Sequence, residues 1–134
     1  MIEEFLKDRF EALARGDYAA VYNSYAADAP LLGQFADIDE YVDFARNNLS
    51  RIQVVDWSCV DQRQLAEDRV ECLLAMELSV DGASQYFYES ALLIRGGDGW
   101  RYHSAQKLGA DDFSGTPEQI RFDHFDKAME KIRF

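Results

Sequence analysis

RVECLLAMELSVDGASQYFYESALLIR, residues 69–95, is the stretch that decides the fold. Val70, Cys72, Leu74, Met76, Leu78 and Val80 fall at every second position, the period of a strand with one apolar face. Asp81-Gly82 then interrupts the pattern. A two-residue type I′ turn needs positive φ at both central positions, and Asp-Gly meets that need. Two antiparallel strands, 69–80 and 83–95, are therefore predicted. The turn also acts as a ruler. It pairs Val80 with Ala83, Met76 with Phe87, Leu74 with Glu89 and Cys72 with Ala91, and paired residues share a face. The apolar row thus continues as Phe87, Glu89, Ala91 and Leu93. Glu89 is the exception in that row, a carboxylate among hydrocarbon.

Working outward, Gly96-Gly97-Asp98-Gly99 is a second turn, residues 100–108 a further strand, and residues 52–60 a preceding one. With a turn over 96–99, Arg95 pairs with Trp100 and Leu93 with Tyr102. Trp100, Tyr102, Ser104 and Gln106 then face inward, and Arg101, His103 and Lys107 outward. A bulge would reverse that parity. Upstream the period is helical. Ile2, Phe5, Leu6, Phe10 and Leu13 form one stripe, which Gly16 closes. Asp17 caps a second helix with Tyr18, Val21, Tyr22 and Tyr25 along its side, and Pro30 bars its continuation. Asp37 and Glu40 open a third helix, in the manner of a capping box. Downstream, Thr116, Pro117 and Gln119 start a last helix whose stripe is Phe122, Phe125, Met129 and Ile132. That helix is expected to dock on its own chain. Helices followed by consecutive hairpins argue α+β and not βαβ.

The chain has 134 residues, the size of one domain, and 48% are hydrophobic, enough for a packed core. Acidic residues number 25 against 14 basic, a formal charge of −11. Such a field repels phosphate backbones and anionic lipid, so nucleic acid and membranes are not expected partners. No run approaches the ~18 apolar residues of a spanning helix, and the charged N-terminus lacks a secretory core. Cys59 and Cys72 match no zinc spacing and make no disulfide framework. A cytoplasmic protein without metal or cofactor is the expectation.

Residues 9–30, RFEALARGDYAAVYNSYAADAP, and 88–102, YESALLIRGGDGWRY, carry a resemblance. Over roughly residues 5–108 the chain resembles the nuclear transport factor 2-like superfamily, which includes ketosteroid isomerases and SnoaL-like cyclases. The nearest local likeness is to the domain that accompanies SEC-C zinc motifs, here without the zinc motif. The resemblance implies helices packed on a curved antiparallel sheet, a cone-like, cystatin-like roll. Residues 116–134 would be an added C-terminal helix. It also makes a homodimer through the sheet an expectation.

Glu89 is the candidate catalytic residue, because burial on an apolar face suits a carboxylate to proton transfer. The structural alternative holds it in a polar network with Arg69, a tyrosine or Gln106. Tyr22 and Tyr25 could donate hydrogen bonds into the cone, with Tyr102, Ser104 and Gln106 on the opposite wall. Trp57 is core first and a ligand-stacking wall second. Two functions follow. One is small-molecule binding in a cone-shaped pocket, with isomerase-, cyclase- or dehydratase-like acid/base chemistry. The other is a non-catalytic interaction domain, such as a small acidic immunity-type protein.

Overall fold

The computed structural model describes residues 2–126, and of Ala110 the backbone alone. Three helices come first: α1 (Ile2–Ala14), α2 (Tyr18–Asn23) and α3 (Ile38–Asn48). Four strands follow, β1 (Ile52–Ala66), β2 (Arg69–Val80), β3 (Ala83–Gly96) and β4 (Gly99–Leu108), and then a short helix α4 (Phe122–Asp126). The sheet is antiparallel throughout, in the order β1-β2-β3-β4. This is the α+β arrangement expected.

Local chemistry sets the helix starts. Asp17 Oδ1 accepts from Ala20 N at 3.1 Å, and Asp37 Oδ1 from Glu40 N at 2.9 Å. Glu40 reaches back one residue further than a capping box would, to Ala36 N at 3.2 Å. The second helix is shorter than its spacing suggested. It ends at Asn23, so Tyr25 lies beyond it, in a single parallel bridge to Tyr102. Pro30 opens a 3-10 turn, Pro30–Gln34.

The β2–β3 register is the one the turn predicted, from Val80↔Ala83 through Leu74↔Glu89 to Arg69↔Ile94. Asp81 has φ 52° and Gly82 φ 87°, both in the left-handed region a type I′ turn demands. The predicted row packs under the helices. Val70, Cys72, Leu74 and Met76 join Ala91 and Leu93 against Leu6 and Phe10 of α1. Burying such side chains stabilises by roughly 1.5–3 kcal/mol each for the larger ones.

The opposite face of the sheet is buried as well. Leu73, Ala75 and Tyr88 are covered by Ile120, Phe122 and Phe125. The C-terminal segment thus docks on its own chain, although not as one helix from Thr116. Gln119 Oε1 accepts from Thr116 N at 3.0 Å, but this closes only a 3-10 turn, Pro117–Gln119. Ile120 is then extended, and the helix begins at Phe122. Met129 and Ile132 lie outside the described residues. Arg63 ties this segment down. It bonds Asp126 through two contacts of 3.0 Å and Glu71 through one of 3.2 Å. Buried Ser90 donates to the other Glu71 oxygen at 3.0 Å.

Candidate functional site

A cavity of about 300 Å³ opens between α1, α3 and the sheet. Leu13, Leu49, Ile52, Leu78, Val80 and Phe87 form much of its apolar wall. Its polar side chains are Arg9, Tyr25, Tyr41, Glu89 and Lys107; Tyr88 also borders it, with its ring packed against Phe113 on the opposite face of the sheet. Each has a structural origin. Arg9 lies four residues after Phe5 and four before Leu13, on the inward side of α1. Glu89 occupies the row fixed by the Asp81-Gly82 turn. Lys107 is its partner across β3–β4.

Glu89 is 8% exposed. Tyr102 Oη donates to its Oε2 at 3.0 Å, and Lys107 Nζ stands 3.7 Å from its Oε1. A tyrosine therefore holds the carboxylate, rather than Arg69 or Gln106. Burial, and then the charge of Glu89, push the Tyr102 phenol well above its ordinary range, so it stays a donor. Arg9 donates from Nε to Ser24 Oγ at 3.2 Å and from Nη2 to Tyr25 Oη at 3.1 Å. Its guanidinium lies 3.9 Å over the Tyr102 ring, close enough for cation–π attraction. Burial alone would lower its pKa, but Tyr25, Tyr102 and Glu89 outweigh that and raise it. Burial, then Tyr25, raises the Tyr41 phenol too.

The predicted opposite wall is divided between two faces. Leu93 pairs with Tyr102 as foreseen, but Leu92 pairs with Ser104, so His103 is an extra residue in β4. Beyond this bulge the parity reverses. Tyr102, Ala105 and Lys107 face the helices, but of these three only Lys107 lines the cavity, with Tyr102 behind Glu89; Ser104 and Gln106 lie on the far face. Lys107, expected on the outer face, borders the cavity instead, with its side chain half-exposed. His103 is partly covered, with Nδ1 2.9 Å from Ser104 Oγ. The bulge sits where the chain after α2 joins the edge of β4. There Tyr102 N donates to Ser24 O at 2.8 Å, and Ala26 N donates to Tyr102 O at 2.9 Å.

Tyr25 lines the cavity, but Tyr22 does not; it packs on Tyr41 with ring centroids 5.5 Å apart. Trp57 stacks on Phe10 at 4.6 Å and is core. Sequence reasoning missed Arg9. Its signal was present, a basic residue on the side of α1 that otherwise carries Phe5 and Leu13. Among the described residues, no group of three or more His, Cys, Asp or Glu could hold a metal ion. No helix among them is long and apolar enough to cross a membrane.

The chain is similar to a solved domain of unknown function with a cystatin-like fold from Nostoc punctiforme, at TM-score 0.60 and 13% identity. The match covers 95% of this chain and 84% of that one. The fold is cystatin-like. No protein family and no curated protein matches the chain. In this cystatin-like fold the cavity lies between the helices and the sheet face that carries Glu89.

Proposed function

We propose that the chain binds a small, largely apolar molecule in the cavity beside Glu89, and that Glu89 exchanges a proton with it. One observation carries this reading. A cavity of about 300 Å³, at the lower end of the range for ligand sites, brings hydrocarbon walls together with Arg9, Glu89, Lys107, Tyr25 and Tyr41. A carboxylate 8% exposed, one oxygen held by a phenol and the other toward an ammonium, suits isomerase-, cyclase- or dehydratase-like acid/base work. The element order supports membership of the nuclear transport factor 2-like superfamily, and we read the chain as a single cytoplasmic domain of that kind.

The alternative is a non-catalytic, acidic interaction domain. It draws on the charge of −11 and on Val55, Leu65 and Tyr86, which are exposed on the strands. Val55 and Leu65 lie on edge strand β1, whose pairing with β2 shifts at three places. Such bulges blunt an edge against strand addition, so this reading is second.

Ligand-observed NMR with compact apolar fragments tests the first reading. Leu78→Trp, which fills the cavity, should abolish binding while the circular dichroism spectrum is kept. Binding that persists in Leu78→Trp would place the ligand elsewhere and remove the reading.

A further inference from the structure

We infer that the cavity selects an organic anion, a compact apolar body carrying a single carboxylate. The inference rests on the pocket reading above and names its ligand class. The chain carries 25 acidic and 14 basic residues, yet the cavity wall holds two cations, Arg9 and Lys107, against one carboxylate, Glu89. The sign of the protein is inverted locally.

Arg9 is the residue that points to the ligand. It is half-buried, and its hydrogen bonds go to two neutral oxygens, those of Ser24 and Tyr25. Among the described residues, no carboxylate makes an ion pair with it. Arg63 shows what this chain does with a guanidinium that it pairs: Glu71 and Asp126 both lie within 3.2 Å. Glu89 acts on Arg9 only at a distance, and a buried guanidinium with no carboxylate in contact gains a direct partner when an incoming carboxylate arrives. Arg9 is held in place by Ser24, Tyr25 and the Tyr102 ring, so little ordering is needed when the anion arrives.

Geometry and size narrow the class further. Among the described residues, Arg9 is the one guanidinium on the cavity wall, and its planar fork matches one carboxylate. The volume of about 300 Å³ corresponds to roughly ten waters, at about 30 Å³ each. That is room for one or two fused rings or a short branched chain. It excludes a nucleotide.

The test uses the full chain and a matched pair of probes, 2-naphthoate and its neutral isostere 2-naphthamide, with affinities from titration calorimetry at neutral pH. The expected result is that naphthoate binds at least tenfold more tightly. That advantage should fall to threefold or less in Arg9→Gln and in Lys107→Gln. Lys107 is half-exposed, so its variant should fold even if Arg9→Gln does not. Equal binding of the two probes would overturn the anion inference while leaving the pocket reading in place. So would a naphthoate preference unchanged in both variants. Failure of both probes, together with failure of neutral fragments in the NMR screen, would overturn the pocket reading itself.

Discussion

Tyr102 Oη donates to Glu89 Oε2 at 3.0 Å, from one strand to its neighbour, with both groups nearly closed to solvent. Removing one partner leaves the other without its bond in a place water reaches poorly. Glu89→Ala should therefore destabilise the protein by about 1–3 kcal/mol, measured as a shift of the urea midpoint. Glu89→Gln keeps an acceptor for Tyr102 and should lose less. Equal losses in the two variants would mean that packing, and not the hydrogen bond, sets the cost.

Arg63 joins the sheet to the C-terminal segment through an unequal pair of carboxylates. Glu71 is 6% exposed at its side chain and Asp126 42%. Arg63→Ala strands Glu71 and should cost about 1–3 kcal/mol, discounted for the partly exposed guanidinium. Asp126→Ala should cost under about 1 kcal/mol, as exposed pairs do. Deleting residues 116–134 goes further, because it uncovers Leu73, Ala75 and Tyr88. Size-exclusion chromatography should then show aggregates. A truncated chain that stays monodisperse and equally heat-stable would show the segment to be an independent appendage.

Cys59 and Cys72 titrate against each other. The Cys72 thiol lowers the Cys59 pKa to about 7, helped by Gln62 and opposed by burial. Cys72 is pushed up, first by Cys59 and then by burial. Iodoacetamide should label Cys59 with a midpoint near pH 7, against about 8.5 for an ordinary thiol, and should leave Cys72 untouched. The stability contribution follows the sign of a depressed acid. It is present above the unfolded value and lost as pH falls through about 7. Cys59→Ser should remove that slope in urea titrations. A Cys59 labelling midpoint near that of free cysteine would contradict the pairing.

Gln106 Nε2 is buried with no hydrogen-bond partner among the described residues. An unmet donor of this kind costs about 1–3 kcal/mol relative to a well-packed apolar group. Gln106→Met, similar in length and flexible, should raise stability by about 1 kcal/mol in the same urea assay. A loss of stability would show that this amide has a partner of its own.

Much of the fold was legible because its signals are local. The period-two row from Val70 to Val80 and the helix starts at Asp17 and Asp37 depend on neighbours a few residues away. The C-terminal start was read with the right residues and the wrong element. Thr116 to Gln119 does close a turn, but Ile120 is drawn out against the sheet, and that packing is not written in the capping pattern. Of the candidate site, Glu89, Tyr25 and Tyr102 lie together in one polar network around the cavity. Tyr22 and Trp57 pack elsewhere, for they answer to aromatic neighbours that spacing does not reveal.

By itself, the sequence determined the inward placing of Glu89. Asp81-Gly82 admits one tight turn, that turn fixes one register, and a strand has only two faces. The tertiary structure alone decided what Glu89 meets. Residues 24–26 return from the helices to the edge of β4 and bridge to Tyr102, and His103 bulges out beside them. That single extra residue turns Lys107 in toward Glu89 and sends Ser104 and Gln106 to the far face. Arg9 reaches the same place from the first helix, 80 positions away in the chain. No local rule joins these segments, because their meeting depends on how the whole helical layer settles on the sheet.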